Sequence, residues 1–209
     1  MLHLLRLFIL AIGPILPVVV LGQVVPAEEK VGGLSHSDWS RSWWQWAASF
    51  DQRNSPVADR TGEYCELKQA GPVWFLAGTY GTKRTVRACT VPSGKYLFFP
   101  LINYVVARGL NSRSNCLSLM SEAAELTDGV SALVLEIDGV RSSGLEIHRY
   151  APSTCFNLAG RSLTGADSLA ASNGYYVMLR PLRPGRHTVN FGGALPGMLQ
   201  AVTYNLIVE

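Results

Sequence analysis

The chain has 209 residues, 48% of them hydrophobic, and 18 Lys and Arg against 15 Asp and Glu give a formal charge of +3. That length supports one domain with a substantial core and is short for two of ordinary size. With basic residues locally enriched only at Lys83, Arg84 and Arg87, the chain lacks the clustered stripe of a nucleic-acid binder, so nucleic acid is not an expected partner.

The N-terminus opens MLHLLR and runs apolar from Leu7 to Leu21 before reaching Val25-Pro26-Ala27. This pattern predicts a signal peptide over residues 1–27, cleaved after Ala27. Gly13, Pro14 and Pro17 break a run that a membrane-spanning helix would need intact over ~20 apolar residues. One Arg and no acid leave with the leader, so the mature charge falls to +2. The expected product is secreted or periplasmic, with no membrane span after signal removal. Cys65, Cys89, Cys116 and Cys155 all lie in the mature part, and an oxidising compartment predicts two disulfides. Of three possible pairings, Cys65 with Cys89 and Cys116 with Cys155 closes the shortest loops, although spacing alone does not decide connectivity. No C-x-x-C pair occurs and no His adjoins a Cys, so zinc is not expected.

After a short polar lead-in, SHSDWSRSWWQWAASFDQ predicts an amphipathic helix. Ser35 or Ser37 can cap it, Asp38 suits its first turn, and Trp39, Trp43 and Trp46 recur at i, i+4 and i+7. Such rings commonly pack as core, and their functional use is a sugar-stacking platform. Trp39, Trp43, Trp46 and the anion-competent Arg87 are therefore the candidate ligand-binding residues. Residues 51–70 read as turns.

VWFLAGTY, RTVRACTV and KYLFFPLINYVVA follow as three strands, separated by turns at Gly81-Thr82 and Pro92-Ser93-Gly94, and predict an antiparallel meander. Pro100 cannot donate to a central ladder and marks an edge, bulge or bend. CLSLMSEAAELTDG predicts a short helix capped by Ser118 or Ser121 and ended by Gly129. SALVLEIDGVRSSGLEIHRY reads as strand, turn and strand, projecting Glu136, Asp138, Glu146, His148 and Tyr150 to one side. A carboxylate beside an imidazole suits general acid or base chemistry, which makes Glu146, His148 and Tyr150 the candidate catalytic set. A solvated sheet face has the same alternation. Residues 151–171 read as an irregular loop, and GYYVMLRPL, RHTVNFGG and MLQAVTYNLIVE as a closing meander.

Seven to nine strands, two helices and no βαβ repeat predict a mainly β fold, an antiparallel β-sandwich of jelly-roll or Ig-like type. There is no G-x-S-x-G elbow and no phosphate loop. His36, His148 and His187 are dispersed, so neither a metal nor a cofactor is expected.

Two strings are distinctive. D-x-T-G-x-x-C-x-x-x-Q-x-G-P-V-W-F-L-A-G, then R-x-C-x-V-P-x-G-K-x-L-F-F-P-x-x-N, span Asp59 to Asn103, with the Trp-rich helix before them and G-Y-Y-V-M-L-x-P-L and V-T-Y-N-L after. Together they resemble a family of uncharacterised exported bacterial proteins. The resemblance covers most of the mature chain and implies export and a single domain; it transfers no site. The functional expectation is an exported non-catalytic binding domain for an extracellular or envelope ligand, with a glycan as the ligand class. The alternative is a small secreted carbohydrate-active enzyme, a hydrolase or lyase.

Overall fold

The computed structural model describes residues 23–80, 83–108, 113–158 and 169–209. Residues 1–22 of the expected leader, the expected Gly81-Thr82 turn and part of the expected 151–171 loop lie outside the described residues. In chain order the elements are α1 (His36–Ala48), β1 (Val73–Phe75), β2 (Thr85–Val91), β3 (Tyr96–Ala107), α2 (Cys116–Thr127), β4 (Ala132–Ile137), β5 (Val140–Arg141), β6 (Arg149–Tyr150), β7 (Phe156–Asn157), β8 (Leu169–Leu179), β9 (Gly185–Leu195) and β10 (Met198–Val208).

The strands form a mainly β sandwich of two sheets. One runs β1-β3-β8-β6 with β7 also on β8, and the other runs β2-β10-β9-β4-β5. The helices contact the first sheet, mainly through β3 and β8. Two pairings are parallel, β1 with β3 and β2 with β10, so both sheets are mixed rather than purely antiparallel. The meander expected between Gly71 and Asn103 does not form: β1 and β3 share the first sheet while β2 lies in the second. Parallel neighbours require a crossover connection, and β2, which lies between β1 and β3 in the chain, runs in the opposite sheet. Likewise only β9 and β10 of the closing meander pair with each other, because β8 belongs to the first sheet.

Strand alternation divides the core. Leu97, Phe99 and Leu101 of β3 face Leu135, Val189, Phe191, Val202, Tyr204 and Leu206 between the sheets. Phe98 of the same strand points the other way, into a layer with Tyr176, Met178 and the indoles of α1. Pro100 sits in the interior of β3, where the register with β8 shifts between Pro100 and Ile102. That bulge lets a residue without an N–H occupy a central strand.

The helix expected at 35–52 is present, with Ser35 as its cap. Ser35 Oγ accepts from Asp38 N, and the Asp38 carboxylate accepts from Ser35 N, closing a capping box. α2 is capped by Asn115, whose side chain accepts from Ser118 N, rather than by Ser118 or Ser121. Both expected disulfides are formed. Cys65–Cys89 ties the turn-rich segment to β2, and Cys116–Cys155 ties the start of α2 to the segment leading into β7. Two disulfides fit an extracellular or otherwise oxidising compartment. Among the described residues no helix is long and apolar enough to cross a membrane.

Candidate functional site

The outer face of the second sheet carries a shallow depression of about 310 Å³, lined by residues of β4, β9 and β10 and by Arg84 just before β2. Alternation places Glu136 of β4, Asn190 of β9 and Thr203 of β10 on this face, and the strand register sets them side by side: Glu136 opposite Asn190, and Asn190 opposite Thr203. Arg84 Nη2 donates to Thr203 Oγ1 at 3.2 Å, Thr203 Oγ1 donates to Asn190 Oδ1 at 2.7 Å, and Asn190 Nδ2 donates to Glu136 Oε1 at 3.0 Å. The bonds all run in one direction, an arrangement in which each polarises the next. Beside this row the face is low and apolar, with Gly192, Ala132, Ala201, Val134 and half-exposed Leu199. A β-carbon on Gly192 would lie 2.1 Å from the main-chain oxygen of Gln200, so this part of the floor must stay without a side chain.

A second polar cluster lies under α1. His36, at the helix start, stacks on Tyr150 of β6 with ring centroids 5.0 Å apart, and His148 Nδ1 is 2.9 Å from the Tyr150 hydroxyl. All three side chains are buried. Neither ring nitrogen of His36 makes a well-formed hydrogen bond, although the Ala27 carbonyl lies where it favours the protonated ring. Burial, then the neighbouring His148, pushes the His36 pKa down, and burial lowers that of His148. Burial, with Glu28 nearby, raises the Tyr150 hydroxyl to about 12. Glu29, on the same lead-in segment, is held by Arg180 through two hydrogen bonds of 3.0 and 2.6 Å.

The predicted ligand-binding residues lie in the interior. Trp39, Trp43 and Trp46 are 8%, 1% and 6% exposed, and their indole N–H groups donate to the carbonyls of Val31, Leu76 and Leu67. Trp44 is buried as well and donates to the Tyr176 hydroxyl. These rings present no stacking surface, because α1 lays them between itself and the first sheet. Arg87 is 1% exposed and directs its guanidinium to the carbonyls of Val57, Asp59, Ala77 and Gly78 and to the Tyr204 hydroxyl. It is a clamp within the fold with no free donor face for an anion.

The expected catalytic set divides. His148 and Tyr150 come together, but Glu146 is exposed, in a single 3₁₀ turn over Leu145–Ile147 that begins after Gly144 in the left-handed region at φ +69°. That turn replaces the expected second hairpin arm. It carries the chain from β5 in one sheet to β6 in the other, so the expected common face does not exist. Asp138 instead occupies the β4–β5 turn with Gly139, both at positive φ. Its carboxylate meets His187 Nδ1 at 2.7 Å.

The sequence marks Arg84 only as part of a basic pair with Lys83, and it does not mark Asn190 and Thr203 as site residues. The available signal was the run of outward positions in RHTVNFGG and AVTYN, where a polar residue on each strand falls at matching height only once the register is known. Comparisons of the chain with protein-family models, curated proteins and solved structures gave no match.

Proposed function

We propose that the protein is an exported, non-catalytic binding domain that holds a neutral glycan against the outer face of its second sheet. The observation that carries this reading is the hydrogen-bonded row Arg84–Thr203–Asn190–Glu136 beside the glycine- and alanine-lined floor. A sugar ring offers hydroxyls at its edge and C–H groups on its face, and the polar row and the apolar floor match the two. The row begins with a cation and ends with an anion, so it carries no net charge to select an ionic ligand. Export is supported by the apolar N-terminal run and the two disulfides. The enzyme alternative is weaker, because His148 and Tyr150 are buried and Glu146 is not beside them.

The test is a glycan array followed by calorimetry on the purified domain. Asn190→Ala removes the centre of the row, and losing about 1–1.5 kcal/mol of hydrogen bonding corresponds to roughly tenfold weaker binding. A polysaccharide-degradation screen on the same material should show no turnover. Absence of any glycan bound by the wild-type domain, or full affinity in Asn190→Ala, would rule the proposal out.

A further inference from the structure

The lead-in contains a structural element that the expected processing site would remove. Gln23 to Val25 run along the edge of β8 that is not taken by β3. Arg180 N donates to Gln23 O at 2.7 Å, Val24 pairs with Leu179 in antiparallel register, and Val25 N donates to Met178 O at 2.8 Å. Adjacent residues of an extended segment face opposite ways, and here both faces are used. Val24 packs against the core between the sheets, while Val25, with no exposure, belongs to the layer under α1. Farther along the same edge, Tyr176 N donates to His148 O, and β6 and β7 follow. Residues 23–25 therefore complete a row of short segments that satisfies the edge of a long strand.

Cleavage after Ala27 would strip that segment from the sheet. It would leave the Met178 carbonyl and the Arg180 amide without partners and remove Val25 from a closed core. We infer that export processing instead cuts the bond between Gly22 and Gln23. Val20 and Gly22 then stand at the third and first positions before the bond, with short side chains of the kind a signal peptidase reads. In this hydrolysis water adds across the Gly22–Gln23 amide: the C–N bond breaks, Gly22 leaves as a carboxylate and Gln23 becomes the new amino terminus. The segment from Gln23 to Ala27 remains with the domain, and its first three residues stay paired along the edge of β8.

This inference rests on the export reading above, and the experiment separates the two. The full 209-residue chain is expressed in an exporting host, and the exported protein is analysed by intact mass and N-terminal sequencing. The expected product begins at Gln23, with or without loss of ammonia as the terminal glutamine cyclises. Two variants sharpen the result. Gly22→Trp places a bulky ring directly before the inferred bond and should abolish the Gln23 product. Ala27→Trp, at an exposed position, should leave cleavage unchanged and yield a mature chain that carries the new Trp. An exported wild-type chain beginning at Glu28, or a block by Ala27→Trp with none by Gly22→Trp, overturns this inference and leaves export intact. An unprocessed chain retained inside the cell overturns both.

Discussion

Arg87 shows how far one side chain can depart from its pattern. In TVRACTV the apolar Val86 is about half exposed and the charged Arg87 is buried, the reverse of what hydropathy alone assigns. The strand phase is set by Cys89 and Val91, which must face the core, and Arg87 falls in phase with them. Its charge is tolerated because carbonyls from two loops and the Tyr204 hydroxyl surround the guanidinium. The carboxylate of Asp59, whose carbonyl Arg87 reaches, is occupied with the amides of Thr61, Gly62 and Tyr64. Arg87→Met should destabilise the domain by ~3 kcal/mol in urea unfolding, since several buried carbonyls lose their donor at once. Arg87→Lys should recover only part of this, because an ammonium cannot reproduce the fork that reaches both loops. A neutral outcome for Arg87→Met would show that the clamp carries no stability.

Among elements, the contact between α1 and β6 brings two imidazoles against one tyrosine. His36 stacks on Tyr150 and His148 meets the same ring edge-on, and both are held below the ordinary imidazole value of 6.5. In the unfolded chain these rings take up protons near pH 6.5, while in the folded chain they stay neutral to lower pH. Their effect is therefore a loss of stability as pH falls below about 6.5, toward the lowered folded values. His187 works in the opposite sense. Burial alone would depress it, but the Asp138 carboxylate and the Arg183 carbonyl outweigh burial and raise its pKa. Its contribution is complete below 6.5 and is lost as pH rises through the raised value. The double variant His36→Phe/His148→Gln should retain more of its neutral-pH melting temperature at pH 5 than the wild-type protein does. Equal acid sensitivity in the two proteins would remove the buried imidazoles as its cause. The helix itself is readable in the sequence: a serine cap at 35 or 37 with Asp38 in the first turn marks its start, and the tryptophan periodicity its apolar face. The fate of that face was not readable, since a stripe of indoles looks the same whether a sheet or a sugar covers it.

Across the whole molecule, Cys65–Cys89 joins the turn-rich 51–70 segment to β2 and so helps hold the loops that Arg87 clamps. The segment has little regular structure of its own, and Gly62 lies so close to β2 that a β-carbon there would be 1.9 Å from the Ala88 oxygen. Replacing both cysteines by Ser should cost roughly 2–4 kcal/mol, read as a lower urea midpoint, and should loosen amide protection first in residues 51–70. A variant with unchanged midpoint and protection would show that packing alone holds the segment.

Much of this could be inferred from one chain because it depends on local chemistry. Alternation and turn residues determined a mainly β fold, Ser35 or Ser37 with Asp38 placed the start of α1 to within two residues, Pro100 marked an irregularity that the structure makes a bulge, and loop length correctly favoured the observed disulfide pairing. Sheet membership was decided only in three dimensions. VWF is buried on both sides, and such a run states that it is covered without stating by which neighbour. Antiparallel and parallel partners thus remained indistinguishable until β2 crossed to pair with β10. The polar row on the second sheet has the same origin: Glu136, Asn190 and Thr203 are far apart in the chain, and only the register of three strands brings them level. Tertiary structure likewise decided that the tryptophans are interior and that Val24 and Val25, apolar enough to resemble the end of a leader, pack into the folded domain along the edge of β8.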